Sequence, residues 1–134
     1  MALWKKIGDW CSISDWHPSV LKCIEKRDRD QLLRVLTFKD GNSSKEKLLE
    51  KGTTSYKYEI LETTFPVDSF QSMFSVSPDD EDLDELHIQW SATYDAKERD
   101  DKEVRKQIDK VLSDGIANLK KKFDPGNLPV KDTD

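Results

Sequence analysis

Arg34 and Glu46 are two opposite charges whose spacing invites chemistry. They lie on two short extended segments joined by Asp40-Gly41, a strong hairpin signal, which sets them at nearly opposite cross-strand positions. Inside a cavity Arg34 would anchor a carboxylate. On an exposed face the pair is worth less than about 1 kcal/mol, and the residues taken alone favour that setting. His17, next to Trp16, is a polar group for a ligand carbonyl or carboxylate, or a general base titrating near neutrality. The plainer and favoured reading is a surface or loop-packing histidine. His87 stands in the strand phase opposite Trp90 and is expected to face solvent. Tyr56, Tyr58, Trp90 and Tyr94 share one inward face; most serve a core, while a tyrosine hydroxyl there can also orient a ligand or donate a proton. His17, Tyr58 and Glu46 are thus the weak catalytic candidates.

Other chemistries are excluded. Cys11, His17 and Cys23 have no metal-ligand spacing, and no metal or cofactor is expected. The acidic stretch from Asp79 to Glu85 lacks the glycine and the twelfth-position glutamate of a calcium loop and reads as a solvated connector. There is no P-loop, dinucleotide fingerprint, nucleophile elbow or zinc-protease motif. Cys11 and Cys23, the only cysteines, are read as two idle thiols rather than a disulfide, on the premise of a reducing compartment.

The elements that must position these residues fit one domain. The chain has 134 residues, 35% hydrophobic and 37% charged, so its core is concentrated in few segments. A net charge of −5 argues against nucleic acid. No apolar run reaches membrane-spanning length, and MALWKKIGDW has no signal-peptide core, so a cytoplasmic location is expected.

Leu3, Trp4, Ile7 and Trp10 recur at helical spacing, weakened by Gly8, and a one-turn helix over Ile13 to Trp16 precedes Pro18. From Val20 the period becomes two. Six consecutive strands follow: from Val20, Gln31 to Phe38, Ser44 to Glu50, Ser55 to Thr64, Phe70 to Ser77, and Glu85 to Ala96. Ser44 to Glu50 has some helical propensity and is assigned as a strand because turn signals flank it. Short connectors make this an antiparallel meander. From Asp100 to Phe123, Val104, Ile108, Val111, Leu112, Ile116, Leu119 and Phe123 define one helical face, which Asp124-Pro125-Gly126 ends. Gly115 on or near that face predicts a close approach to the sheet. The predicted fold is α+β: a curved antiparallel sheet of about six strands wrapped round a long C-terminal helix, with short N-terminal helices. The domain runs over residues 1–124 and a flexible tail over 125–134. A sheet wrapped round a helix tends to leave apolar space between them, which is a ligand site by default.

Trp4 with IGDW, WHPSV at Trp16 to Val20, RVLTFKDG at Arg34 to Gly41, Glu46 to Leu48, SYKYEI at Ser55 to Ile60, Pro66 with Phe70, the strand around Trp90 and Tyr94, and the final helix follow one another along nearly the whole chain. In the order and spacing of these segments the chain resembles the START-related, polyketide-cyclase/dehydrase-like superfamily (SRPBCC, helix-grip fold). The resemblance implies that Arg34 and Glu46 are meaningful and that the aromatic face lines a pocket. The family normally opens with a β-strand before the first helix, which this chain lacks. An open edge beside the Glu85–Ala96 strand is therefore expected, and with it a homodimer or an exchanged segment, unless the start was assigned too late.

Two functions compete. In the first, which is favoured, the cavity binds a small hydrophobic or amphipathic molecule, lined by Trp16, His17, Arg34, Glu46, Tyr56, Tyr58, Phe70, Trp90 and Tyr94. In the second, a cyclase or dehydratase uses His17 or a Tyr–Glu pair to move protons. A third reading is a protein-interaction module acting through the exposed sheet edge.

Overall fold

The computed structural model describes residues 2–78, 86–96 and 101–123. The elements are α1 (Ala2–Ile7), α2 (Ile13–Trp16), β1 (Val20–Asp28), β2 (Gln31–Phe38), β3 (Ser43–Lys51), β4 (Ser55–Thr63), β5 (Val67–Pro78), β6 (Leu86–Ala96) and α3 (Asp101–Phe123). The strands form one antiparallel sheet in the order β1-β2-β3-β4-β5-β6. This is the expected meander, with Ser43–Lys51 a strand. The acidic stretch from Asp79 to Glu85 and the tail lie outside the described residues.

Local chemistry sets the turns. Arg29 adopts φ 58° between β1 and β2, and Gly41 takes φ 94° between β2 and β3, where Asp40 Oδ1 accepts from the Asn42 amide at 2.9 Å. Phe65-Pro66 separates β4 from β5. Register shifts in the β1–β2 pairing at Val20/Lys22, in the β3–β4 pairing at Lys45/Glu46 and Leu48/Glu50, and in the β5–β6 pairing at Asp68/Gln71 bend the sheet.

The concave face of the sheet is covered in two halves. One half is taken by the N-terminal segment. Trp4 packs on Tyr56 and Phe74 at ring separations of 6.0 and 5.9 Å, and Trp16 stacks on Phe74 at 5.2 Å. The other half is taken by α3, which packs against β6 and α2. Its apolar face is buried at Val104, Ile108 and Leu119 and half-buried at Val111, Leu112 and Ile116. β1 and β6 end the sheet, so both edges are free of a strand partner among the described residues.

Two expectations need correction. Cys11 and Cys23 are a disulfide, not idle thiols, with Cα atoms 5.5 Å apart. The expectation rested on compartment chemistry, whereas the corner between α1 and α2 brings Cys11 back over β1. A bridged pair fits poorly with the reducing compartment assumed for it. Arg34 and Glu46 are not an exposed pair: their side chains are 0% and 5% exposed. Both stand on the concave face, in phase with Leu36 and Phe38 on β2, beneath the N-terminal segment.

Candidate functional site

Between the two halves of the cover lies an apolar cavity. Ile13 and His17 contribute from the N-terminal side. Ile108, Val111 and Leu112 contribute from α3. The sheet supplies Val20, Leu36, Phe38, Ser44, Glu46, Tyr58, Ile60, Phe70 and Trp90, and Phe65 comes from the β4–β5 connection. Its room for water-sized guests is about 30 Å³. That accommodates a water or two, well short of the roughly 300 Å³ or more of a ligand-filled pocket. The lining side chains themselves fill most of the space between the sheet and α3.

Of the residues singled out from the sequence, His17, Glu46, Tyr58, Phe70 and Trp90 line this cavity together. Trp16, Arg34, Tyr56 and Tyr94 are not among its lining residues. Trp16 is buried against Phe74 and Trp90, and its carbonyl accepts from Asn118 Nδ2 at 2.7 Å. Tyr94 is half-buried, stacked on Phe70 at 5.7 Å with the Arg105 guanidinium 5.8 Å from its ring. His87 is exposed, in the phase expected of it.

Arg34 lies one layer behind the cavity. Its Nε donates to Glu46 Oε1 at 2.8 Å, and Nη2 approaches the same oxygen at 2.7 Å as an ion-pair contact. Nη1 donates to the Trp10 carbonyl at 2.7 Å, and the guanidinium lies 3.9 Å from the Trp10 ring centroid. Burial is the largest single influence and works against its charge, but Glu46, Tyr56 and Tyr58 together outweigh it and hold the Arg34 pKa above its ordinary value. The cation thus belongs to a closed internal network and is walled off from the cavity by Glu46. Glu46 Oε2 accepts from Ser44 Oγ at 2.9 Å.

His17 is fixed at both nitrogens. Nε2 donates to the Val111 carbonyl of α3 at 2.7 Å, and Nδ1 accepts from the Ser19 amide at 3.1 Å. This arrangement uses the neutral Nε2–H tautomer, and burial lowers the His17 pKa, against the smaller raising effects of the Val111 hydrogen bond and Asp114. With Nδ1 already accepting, His17 has no lone pair left for a general base and instead bolts the α2–β1 corner to α3. Tyr58 is buried, and burial followed by the Glu46 charge pushes its pKa up, so its hydroxyl stays protonated. That oxygen accepts from Trp90 Nε1 at 3.0 Å.

Sequence reasoning did not single out Trp10, Ser44, or the rim formed by Ile60, Phe65, Val111 and Leu112 as parts of the site. Ser44 carried a usable signal, because it sits two residues from Glu46 on the same strand face. Among the described residues no cluster of His, Cys, Asp and Glu is placed to hold a metal ion, and no helix is long and apolar enough to cross a membrane.

The comparisons with known proteins agree with this architecture. An uncharacterised protein from Bacillus thuringiensis is 26% identical, with a TM-score of 0.79 over 91% of this chain and 88% of that one. The protein XoxI from Bacillus cereus is likewise 26% identical, with a TM-score of 0.79 over 91% of this chain and 85% of its own. The Zhui aromatase/cyclase from a Streptomyces species shares the fold, at 15% identity and a TM-score of 0.63 over 87% of this chain and 79% of that one. No curated protein matches the chain. The family described as "Polyketide cyclase / dehydrase and lipid transport" matches residues 2–124, and the chain belongs to that family.

Proposed function

We propose that the protein binds a small, predominantly hydrophobic molecule between the sheet and α3. The observation that carries this is the cavity itself: an apolar lining in which Glu46, Tyr58 and Ser44 supply a few convergent polar atoms. Family membership supports the same reading. Because the cavity is small, binding requires the space between the sheet and α3 to widen, at the cost of loosening the His17–Val111 hydrogen bond that holds α3 there, and a ligand then stabilises the widened form.

A cyclase or dehydratase activity has less support. It needs a base and an acid converging on one point. His17 is committed at both nitrogens and Glu46 is held by Arg34, which leaves Tyr58 as a donor whose proton is tightly kept. Association through the free edges of β1 and β6 would give a homodimer, which sedimentation velocity would detect.

The binding reading is tested with N-phenyl-naphthylamine, an uncharged dye that brightens in apolar surroundings. Saturable brightening is expected, and Val111→Phe, which enlarges a side chain at the rim, should abolish it while circular dichroism stays unchanged. Equal brightening with the folded variant would contradict a cavity site.

A further inference from the structure

The hydrogen-bond balance of the cavity specifies the head group of its ligand, an inference that rests on the binding reading above. Three of the four donors on the lining polar side chains are spent inside the protein. The Trp90 indole N–H goes to the Tyr58 oxygen, the Ser44 hydroxyl to Glu46 Oε2, and the His17 Nε2–H to the Val111 carbonyl. The fourth is the Tyr58 hydroxyl, whose proton burial and the Glu46 charge hold in place. What else remains toward the cavity is acceptor capacity: lone pairs on Glu46 Oε2, on the Tyr58 oxygen and on the Ser44 oxygen.

Charge points the same way. The Arg34–Glu46 pair is neutral as a whole, but only its negative end lines the cavity. The guanidinium is directed to Glu46, Trp10 and Tyr56, the last with Nη1 3.4 Å from the hydroxyl. An entering carboxylate would meet the Glu46 carboxylate in an apolar enclosure, where the Tyr58 hydroxyl is the one lining side-chain donor left to compensate it. We infer that the site selects a neutral ligand carrying a hydrogen-bond donor, such as a phenol or alcohol on an apolar body, and rejects carboxylates such as fatty acids. This reverses the role the sequence suggested for Arg34: it fixes the orientation of Glu46 and does not itself hold an anion.

The test is displacement of N-phenyl-naphthylamine from the wild-type protein by two molecules of matched shape, p-butylphenol and p-butylbenzoate, at neutral pH. The phenol is expected to displace the dye at a concentration about tenfold lower or less, a difference on the order of 1.4 kcal/mol. Equal or stronger displacement by the benzoate would overturn the inference and leave the binding reading standing. Absence of dye binding and of displacement by either molecule would overturn both. Glu46→Gln, if folded, should narrow the preference, because it removes the negative charge from the wall. If the variant does not fold, the wild-type comparison still decides.

Discussion

Gly115 lies directly against His17: a Cβ placed on Gly115 would come within 2.6 Å of His17 Cδ2 and 2.7 Å of Trp90 Cζ3. The glycine lets α3 approach closely enough for His17 Nε2 to reach the Val111 carbonyl. In a free helix Gly→Ala gains about 1 kcal/mol. Here Gly115→Ala should lower stability, because overpacking costs about 1–3 kcal/mol and its victims are buried rings. Thermal denaturation should give a lower Tm; an unchanged or higher Tm would show that α3 is not held this tightly.

The His17 bolt predicts a pH dependence. Its pKa is lowered in the folded state, so below the ordinary histidine value of about 6.5 the unfolded chain binds more protons than the folded one. The stability His17 contributes is complete above that value and is lost as pH falls through the folded pKa. Denaturant titrations across the acidic side of neutrality should show wild-type stability falling, and His17→Gln should flatten that part of the curve. An identical slope in the variant would mean that His17 is not the group titrating.

The buried ion pair predicts an asymmetry between single and double variants. Arg34→Leu or Glu46→Leu alone leaves a charge buried without its partner and should cost about 3–5 kcal/mol. The double variant removes both charges and should recover much of that loss. Urea unfolding of the three proteins checks this, and additive losses would mean that the two charges do not depend on each other.

The Cys11–Cys23 bridge spans 12 positions and ties the corner that carries Trp10 to β1. Closing a loop of that size stabilises a chain by roughly 3 kcal/mol in the entropic account. Reduction, or Cys11→Ser with Cys23→Ser, should therefore lower the unfolding midpoint by a matching amount. Trp10 fluorescence should change with it, since the indole would be less firmly held over Arg34. A midpoint indifferent to reductant would contradict a bridge with this role.

The fold was legible because period and punctuation agreed. The bounds expected for Gln31–Phe38 and Ile13–Trp16 match the structure to the residue, and those of the terminal helix match to within one. Alternating apolar positions and the Asp40-Gly41 turn leave little freedom in an antiparallel meander. The setting of Arg34 was harder. Its parity matches buried Leu36 and Phe38, but a charge at an inward position is ordinarily taken as a surface residue unless the covering group is known. That group, Trp10, comes from a segment 24 residues away. The cysteine pairing was hidden for a related reason: it depends on the path of the α1–α2 corner, which no local pattern encodes. The division of the aromatic face, with Tyr58 and Trp90 toward the cavity and Tyr56 under the N-terminal segment, likewise follows from which helix covers which half.

The most direct test of ligand binding between the sheet and α3 is a nitrogen–proton correlation NMR titration with p-butylphenol. The Trp90 indole N–H, which donates to the Tyr58 oxygen on the cavity wall, should move saturably together with the Val111 and Leu112 amides on α3. The Trp4 indole, packed on Tyr56 and Phe74 away from the cavity, should stay in place. Shifts scattered over exposed residues, or none at the Trp90 indole, would contradict binding in this cavity.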